Sequence, residues 1–124
     1  MPTVDFAKLA RPLSSESPAG KDMRQSPDFY ALERSIESRP AETDEEGKLL
    51  RSAMEPDWRV VRDNALAMLN QTRDLDVAAI MTLAELKVDG LAGFAGGLSV
   101  LAAYVTPAMW GVIFPVADEG DTPD

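Results

Sequence analysis

The sequence predicts an all-α fold, a single small bundle of about five helices with an apolar C-terminal segment packed over it. Three observations point there. Apolar residues recur at spacings of three and four along several stretches, the period of a one-sided helix. No stretch alternates apolar and polar residues as a half-buried strand would. Helix-start signals punctuate the chain at Ser26-Pro27-Asp28, Pro56-Asp57 and Asp74. At 124 residues, 45% hydrophobic and 27% charged, the chain has room for one modest core. Aromatic residues make up only 6%, so aliphatic side chains, Ala and Met must fill it.

The first pattern, Val4, Phe6, Leu9 and Leu13, starts after Asp5 and is stopped by Pro12. A loop from Ser14 to Gln25 follows, with Pro18, Ala19 and Gly20 inside it. Ser26 reads as an N-cap with Pro27 in the first turn, and Phe29, Leu32 and Ile36 then form one stripe that Pro40 closes. Residues 38–48 are polar and acidic. Thr43 with Glu46 fits a capping box, so Leu49, Leu50, Ala53 and Met54 are expected in a short helix, with Gly47 counting against it.

Pro56 and Asp57 open a clearer helix, with Trp58, Val61, Ala65, Met68 and Leu69 on one face and Arg59, Arg62, Asp63 and Asn70 turned away. Asp74 is the expected N-cap of the next helix, from Leu75 to about Val88. That helix is apolar on most sides, with a narrow polar stripe of Thr82, Glu85 and Asp89, and so belongs at the centre of the bundle. After Gly90 a final helix sets Leu91, Phe94, Leu98, Leu101 and Val105 on one face. Ala92, Ala95, Gly96, Ser99 and Ala103 lie on the other, a pattern that suits packing on two sides. Beyond Pro107 the run Met109, Trp110, Val112, Ile113, Phe114 and Pro115 is expected to fold back over the bundle. The domain reading is 1–117 for the helical body and 118–124 for the acidic start of a linker.

Composition removes whole classes of function. With no cysteine there is no disulfide, thiolate metal site or cysteine nucleophile. With no histidine there is no Ser-His-Asp arrangement, and the commonest general base and metal ligand are missing. A net charge of -9 disfavours nucleic acid and anionic membrane surfaces. No charge occurs from Gly90 to Ala117, and Gly93 and Gly97 have GxxxG spacing. Pro107 nevertheless ends that run short of the roughly 20 residues a membrane span needs. The start lacks an apolar signal segment, so a cytoplasmic location is expected.

Sharper chemical readings fail on context. The Gly90-Gly93-Gly96-Gly97 run lacks the Lys-Ser/Thr and the preceding strand of a phosphate loop. Asp118, Glu119, Asp121 and Asp124 lack the ligand spacing of a calcium loop. Paired carboxylates such as Asp22 with Asp28, or Asp57 with Asp74, are accounted for as helix caps and as salt bridges to Arg24, Arg59 or Arg73. No cofactor or metal is expected. Trp58 and Trp110 read as core anchors, with Trp110 as an interface contact the alternative. Asp22 and Arg24 are expected to pin the N-terminal loop to the bundle.

Three stretches in order carry a resemblance. The first is Ser17-Pro18-Ala19-Gly20-Lys21-Asp22-Met23-Arg24, followed by Ser26-Pro27-Asp28-Phe29. The second is Pro56-Asp57-Trp58-Arg59, then Arg73-Asp74-Leu75. The third is Gly90-Leu91-Ala92-Gly93-Phe94, Trp110, Pro115 and the acidic end. Together they resemble the ImpA N-terminal (TssA-type) family of bacterial type VI secretion proteins over roughly residues 5–121. The chain departs from the family pattern at Met23, Asp76, Gly111 and Phe114.

The resemblance implies a cytoplasmic, non-catalytic interaction domain that helps organise baseplate, tail tube and sheath. Its partners would be other type VI proteins, the membrane complex included, with homo-oligomerisation through C-terminal regions absent from this sequence. The family-motif residues are Pro18, Gly20, Asp22, Arg24, Asp57, Trp58, Asp74, Leu75, Gly90, Trp110 and Pro115. The alternative from another class is a helical small-molecule-binding or hydrolytic domain.

Overall fold

The computed structural model describes residues 4–115. In chain order the elements are α1 (Phe6–Leu9), α2 (Pro27–Ser35), β1 (Glu42–Thr43), β2 (Leu49–Arg51), α3 (Trp58–Leu69), α4 (Leu75–Tyr104) and α5 (Pro107–Trp110). The all-α expectation is therefore corrected, because a two-stranded antiparallel sheet makes the fold mixed. The acidic linker start at 118–124 lies outside the described residues.

The sheet occupies the stretch where a short helix was expected. Glu42 pairs with Arg51 and Thr43 with Leu49, and a further bridge joins Arg39 and Met54. The cause is local. The Asp44 carboxylate accepts from Glu46 N (2.9 Å) and Lys48 N (2.8 Å), which offers the backbone a turn in place of a helix. Gly47 completes that turn with φ of 84°, a conformation other residues adopt at a cost. Leu49, Leu50 and Met54 are all exposed, so the hairpin lies outside the core.

The helix starts follow the sequence signals. Asp5, Ser26, Asp57 and Asp74 each accept a backbone N–H from the first turn that follows. Between them α2 and α3 bury the expected stripes, Phe29 and Leu32 on one, Val61, Ala65, Met68 and Leu69 on the other.

α4 reverses direction within its length. Gly90, at φ 67° and ψ -147°, leaves the helical region, and the chain folds back as two antiparallel arms, 75–89 and 91–104. The reversal shows in what the glycines face. A Cβ on Gly93 would lie 2.7 Å from Glu85 O, and one on Gly97 would lie 2.8 Å from Thr82 Cα. Two arms so close cannot carry larger side chains at those positions, and this is why the uncharged stretch is rich in glycine.

The reversal also decides which faces are buried. Two members of the polar stripe of the first arm are inside, Thr82 at 3% and Glu85 at 0% exposed, while Asp89 near the tip stays exposed. The second arm packs through Gly93, Gly97, Val100 and Tyr104, and its Gly96 lies against the Phe6 ring. The face expected to pack is thus largely turned outward, with Leu91 78%, Leu98 44% and Val105 39% exposed. Beyond it, α5 and the following turn fold back over the bundle, burying Met109 and Ile113. Among the described residues no helix is long and apolar enough to cross a membrane.

Candidate interaction site and its scaffold

Most of the singled-out residues meet at one junction. The loop through Pro18 and Gly20 reaches the α3–α4 turn, where the Lys21 N–H donates to Gln71 O (2.9 Å) and the Arg73 N–H to Ala19 O (2.7 Å). Gly20 has φ of 71°, and a Cβ there would collide with Leu13 and with the Gln71 carbonyl. The Pro115 segment enters from the other side. Leu75 N–H donates to Phe114 O (2.7 Å), Phe114 N–H to Arg73 O (2.9 Å), and the Phe114–Pro115 peptide is cis.

Asp74 stands at the centre of this junction. Its carboxylate caps α4 by accepting from Asp76 N (2.8 Å) and Val77 N (3.2 Å). Both its oxygens also accept from Arg24 Nη1 at 3.1 Å, and the same nitrogen lies 2.8 Å from Asp76 Oδ2. The Arg24 guanidinium further lies 4.9 Å from the Phe29 ring centroid, so one side chain joins the N-terminal loop, α2 and α4. Burial pushes the Asp74 carboxyl above its ordinary value, while the Val77 N–H and Arg24 act against that shift.

Asp22 works differently from the expectation. Its carboxylate accepts from the Arg24 N–H (3.0 Å) and shapes the loop locally, so the pinning falls to Arg24. Nor, among the described residues, does Arg73 pair with a carboxylate. Its buried guanidinium donates to the carbonyls of Lys8 (3.1 Å), Arg11 (2.8 Å), Leu69 and Thr72 (3.4 Å). Nearby, the Tyr104 hydroxyl donates to Leu9 O (2.8 Å). Burial lowers the Arg73 pKa and raises that of Tyr104 to about 12.

The other singled-out residues lie apart from this junction. Asp57 caps α3, and its side chain accepts from Val60 N (3.5 Å). Trp58 is half-buried, with Lys87 Nζ 5.8 Å from its ring centroid. Trp110, at the end of α5, is also half-buried, so both tryptophans touch the core from its margin. Gly90 forms the tip between the arms of α4.

One group was missed. Glu85 is fully buried, its oxygens form no hydrogen bond of good geometry among the described residues, and its closest cation, Arg62 Nε, is 4.0 Å away. Burial pushes its carboxyl above the ordinary value, Arg62 opposes that, and Asp89 and Asp63 reinforce it. The available signal was its separation from Gly93 across Gly90, which places the two opposite each other once the helix doubles back.

A cleft of about 210 Å³ opens between α2 and α3, lined by Asp28, Ala31, Leu32, Asn64, Ala67, Met68 and Gln71. Ligand pockets usually enclose about 300–1,000 Å³. The lining holds no hydroxyl, thiol or amine nucleophile.

Comparison with known proteins agrees with this architecture. Residues 10–123 match the family described as "ImpA, N-terminal, type VI secretion system". The chain is 30% identical over 121 residues to the type VI secretion system component TssA1 of Pseudomonas aeruginosa, covering 98% of this chain and 34% of that protein. Among solved structures it is similar to the N-terminal domain, including the conserved ImpA_N region, of the TssA component from Burkholderia cenocepacia. That match has a TM-score of 0.74 at 26% identity and covers 98% of this chain and 43% of that one. The chain therefore spans about a third of the length of the curated relative it matches.

Proposed function

Since the chain belongs to the ImpA N-terminal family of type VI secretion proteins, we propose that it is a protein-interaction domain acting in assembly of that apparatus, by binding rather than by catalysis. The observation that carries this reading is how its charged motif residues are used. Arg24 and Asp74 spend their charges on one another and on a helix cap, and Arg73 spends its donors on four carbonyls. These residues build a scaffold, and what they leave outward is surface: exposed Leu49, Leu50 and Met54 on the hairpin, and Leu91 and Leu98 on the second arm of α4. Surfaces with grouped apolar side chains are where proteins meet.

The partners in this reading are other proteins of the apparatus, namely baseplate, tail tube or sheath, and the membrane complex, met in the cytoplasm. The relatives support it by name alone, as secretion-system components. The test is a pull-down on the immobilised chain with purified members of each class. Saturable capture of one of them, lost on exchanging exposed residues and kept in parent protein of equal folded content, is the expected result. Binding of none of them by folded protein would overturn the proposal.

A further inference from the structure

The second arm of α4 has two unlike sides. Its inner side is committed to the first arm through Gly93, Gly97, Val100 and Tyr104. On the outer side Leu91, Ala95, Leu98, Ala102 and Val105 follow one another at spacings of four, three, four and three, the period of a two-helix seam. All five are exposed. A helix uncharged on every side ordinarily lies buried on every side, and this one does not.

We propose that this seam is a self-association surface on which two copies of the chain pack their second arms antiparallel. The pattern is its own complement. About a two-fold axis passing between residues 96 and 97, Leu91 of one copy faces Ala102 of the other, and Ala95 faces Leu98. Each of the two leucines meets an alanine, which is the arrangement that interdigitates without voids. A closed pair of this kind uses the same patch on both copies.

Charge opposes contact between copies elsewhere and selects the direction of this one. With 21 acidic against 12 basic residues, two copies repel over most of their surfaces, and the stretch from Gly90 to Tyr104 is where neither copy carries a charge. A parallel pairing would set Asp89 against Asp89 at the hairpin tips. The antiparallel one sets Asp89 of one copy level with the uncharged 104–106 end of the other. The arm is about 21 Å long at 1.5 Å per residue. Such a contact falls well short of the about 800 Å² per partner of a standard interface, so the pair is weak and concentration-dependent. It fills when chains are held close together, as within an assembly.

Sedimentation equilibrium of the whole chain from about 10 μM to about 1 mM tests this, a range chosen for a millimolar-class contact. The parent mean mass is expected to climb from 13.4 kDa toward twice that value. Leu98→Glu is expected to stay at 13.4 kDa with an unchanged melting temperature, because Leu98 is already 44% exposed. The chain has no native cysteine, so introduced thiols report cleanly. Ala95→Cys chains mixed with Leu98→Cys chains should oxidise to the mixed dimer several-fold in excess of either like pair. A parent mass constant at 13.4 kDa, a Leu98→Glu variant that self-associates equally, or a predominance of like pairs would each overturn the proposal.

Discussion

Arg24 and Glu85 show how differently two charges can sit in one small fold. Arg24 satisfies a buried carboxylate that also caps a helix, and removing it leaves Asp74, 1% exposed, with two backbone donors and no cation. Hydrogen bonds to charged groups contribute about 1.5–3 kcal/mol, so Arg24→Ala is expected to cost about 2 kcal/mol in a urea titration. An unchanged midpoint would mean that the loop is held by its backbone bonds alone. Glu85 opposes folding once ionised. Its folded-state pKa lies above its unfolded value, so the fold holds its proton more tightly than the unfolded chain does. Stability from this group is therefore greatest below the ordinary carboxyl value of 4.5 and falls as the pH rises through the higher folded-state value. Arg62 keeps Asp63 at 3.4 Å and Asp89 at 3.7 Å when Glu85 is neutralised. Glu85→Gln is thus expected to raise the melting temperature by on the order of 5 °C at neutral pH, with the gain vanishing near pH 4. A gain independent of pH would show that ionisation is not the cause.

The helix starts were legible because capping is a local event, settled by a side-chain oxygen and the N–H groups two or three residues ahead. Asp57 and Asp74 needed nothing else to be placed. The two corrections arose where distant or competing contacts decide. At 39–54 the Asp44 carboxylate and Gly47 favour a turn over the expected helix, and periodicity counts neither. On the second arm of α4 the period was right but not the buried face. Spacing says which residues share a face, and it does not say which face the neighbour takes. Backbone approach at Gly93 and Gly97 settled that in favour of a face neither grouping contained, Gly93, Gly97, Val100 and Tyr104, and Leu91 and Leu98 were left outside. The same reasoning gives a prediction for the element. A Cβ at Gly90 has nothing within 4 Å, so Gly90→Ala costs backbone strain alone. At φ 67° and ψ -147°, a region essentially confined to glycine, that cost is about 1–3 kcal/mol. Gly97→Ala instead drives a methyl onto the Thr82 backbone at 2.8 Å, and should separate the arms as well as destabilise the fold. Hydrogen exchange of the 91–104 amides distinguishes the two, with selective loss of protection expected for Gly97→Ala.

For the molecule as a whole, the resemblance read from three ordered motifs named the family that the comparisons show. Only part of the site was readable alongside it. The motif residues near Asp74 proved to be a junction of three chain segments, whereas the exposed apolar surface lay on residues expected in a short helix, Leu49, Leu50 and Met54, or on a packed helix face, Leu91 and Leu98. Interaction surfaces are hard to read from sequence for this reason: an outward leucine and an inward one look alike until the partner helix is placed. The proposed role requires this fold to present a binding surface of its own. It is tested most directly by titrating the folded chain against purified type VI baseplate, tube, sheath and membrane-complex proteins and recording the isotherms. Saturable binding to at least one of them is expected, weakened at least tenfold by exchanging an exposed apolar residue while Arg24→Ala, where still folded, binds as the parent does. Flat isotherms for all of them, from protein shown to be folded and monodisperse, would contradict it.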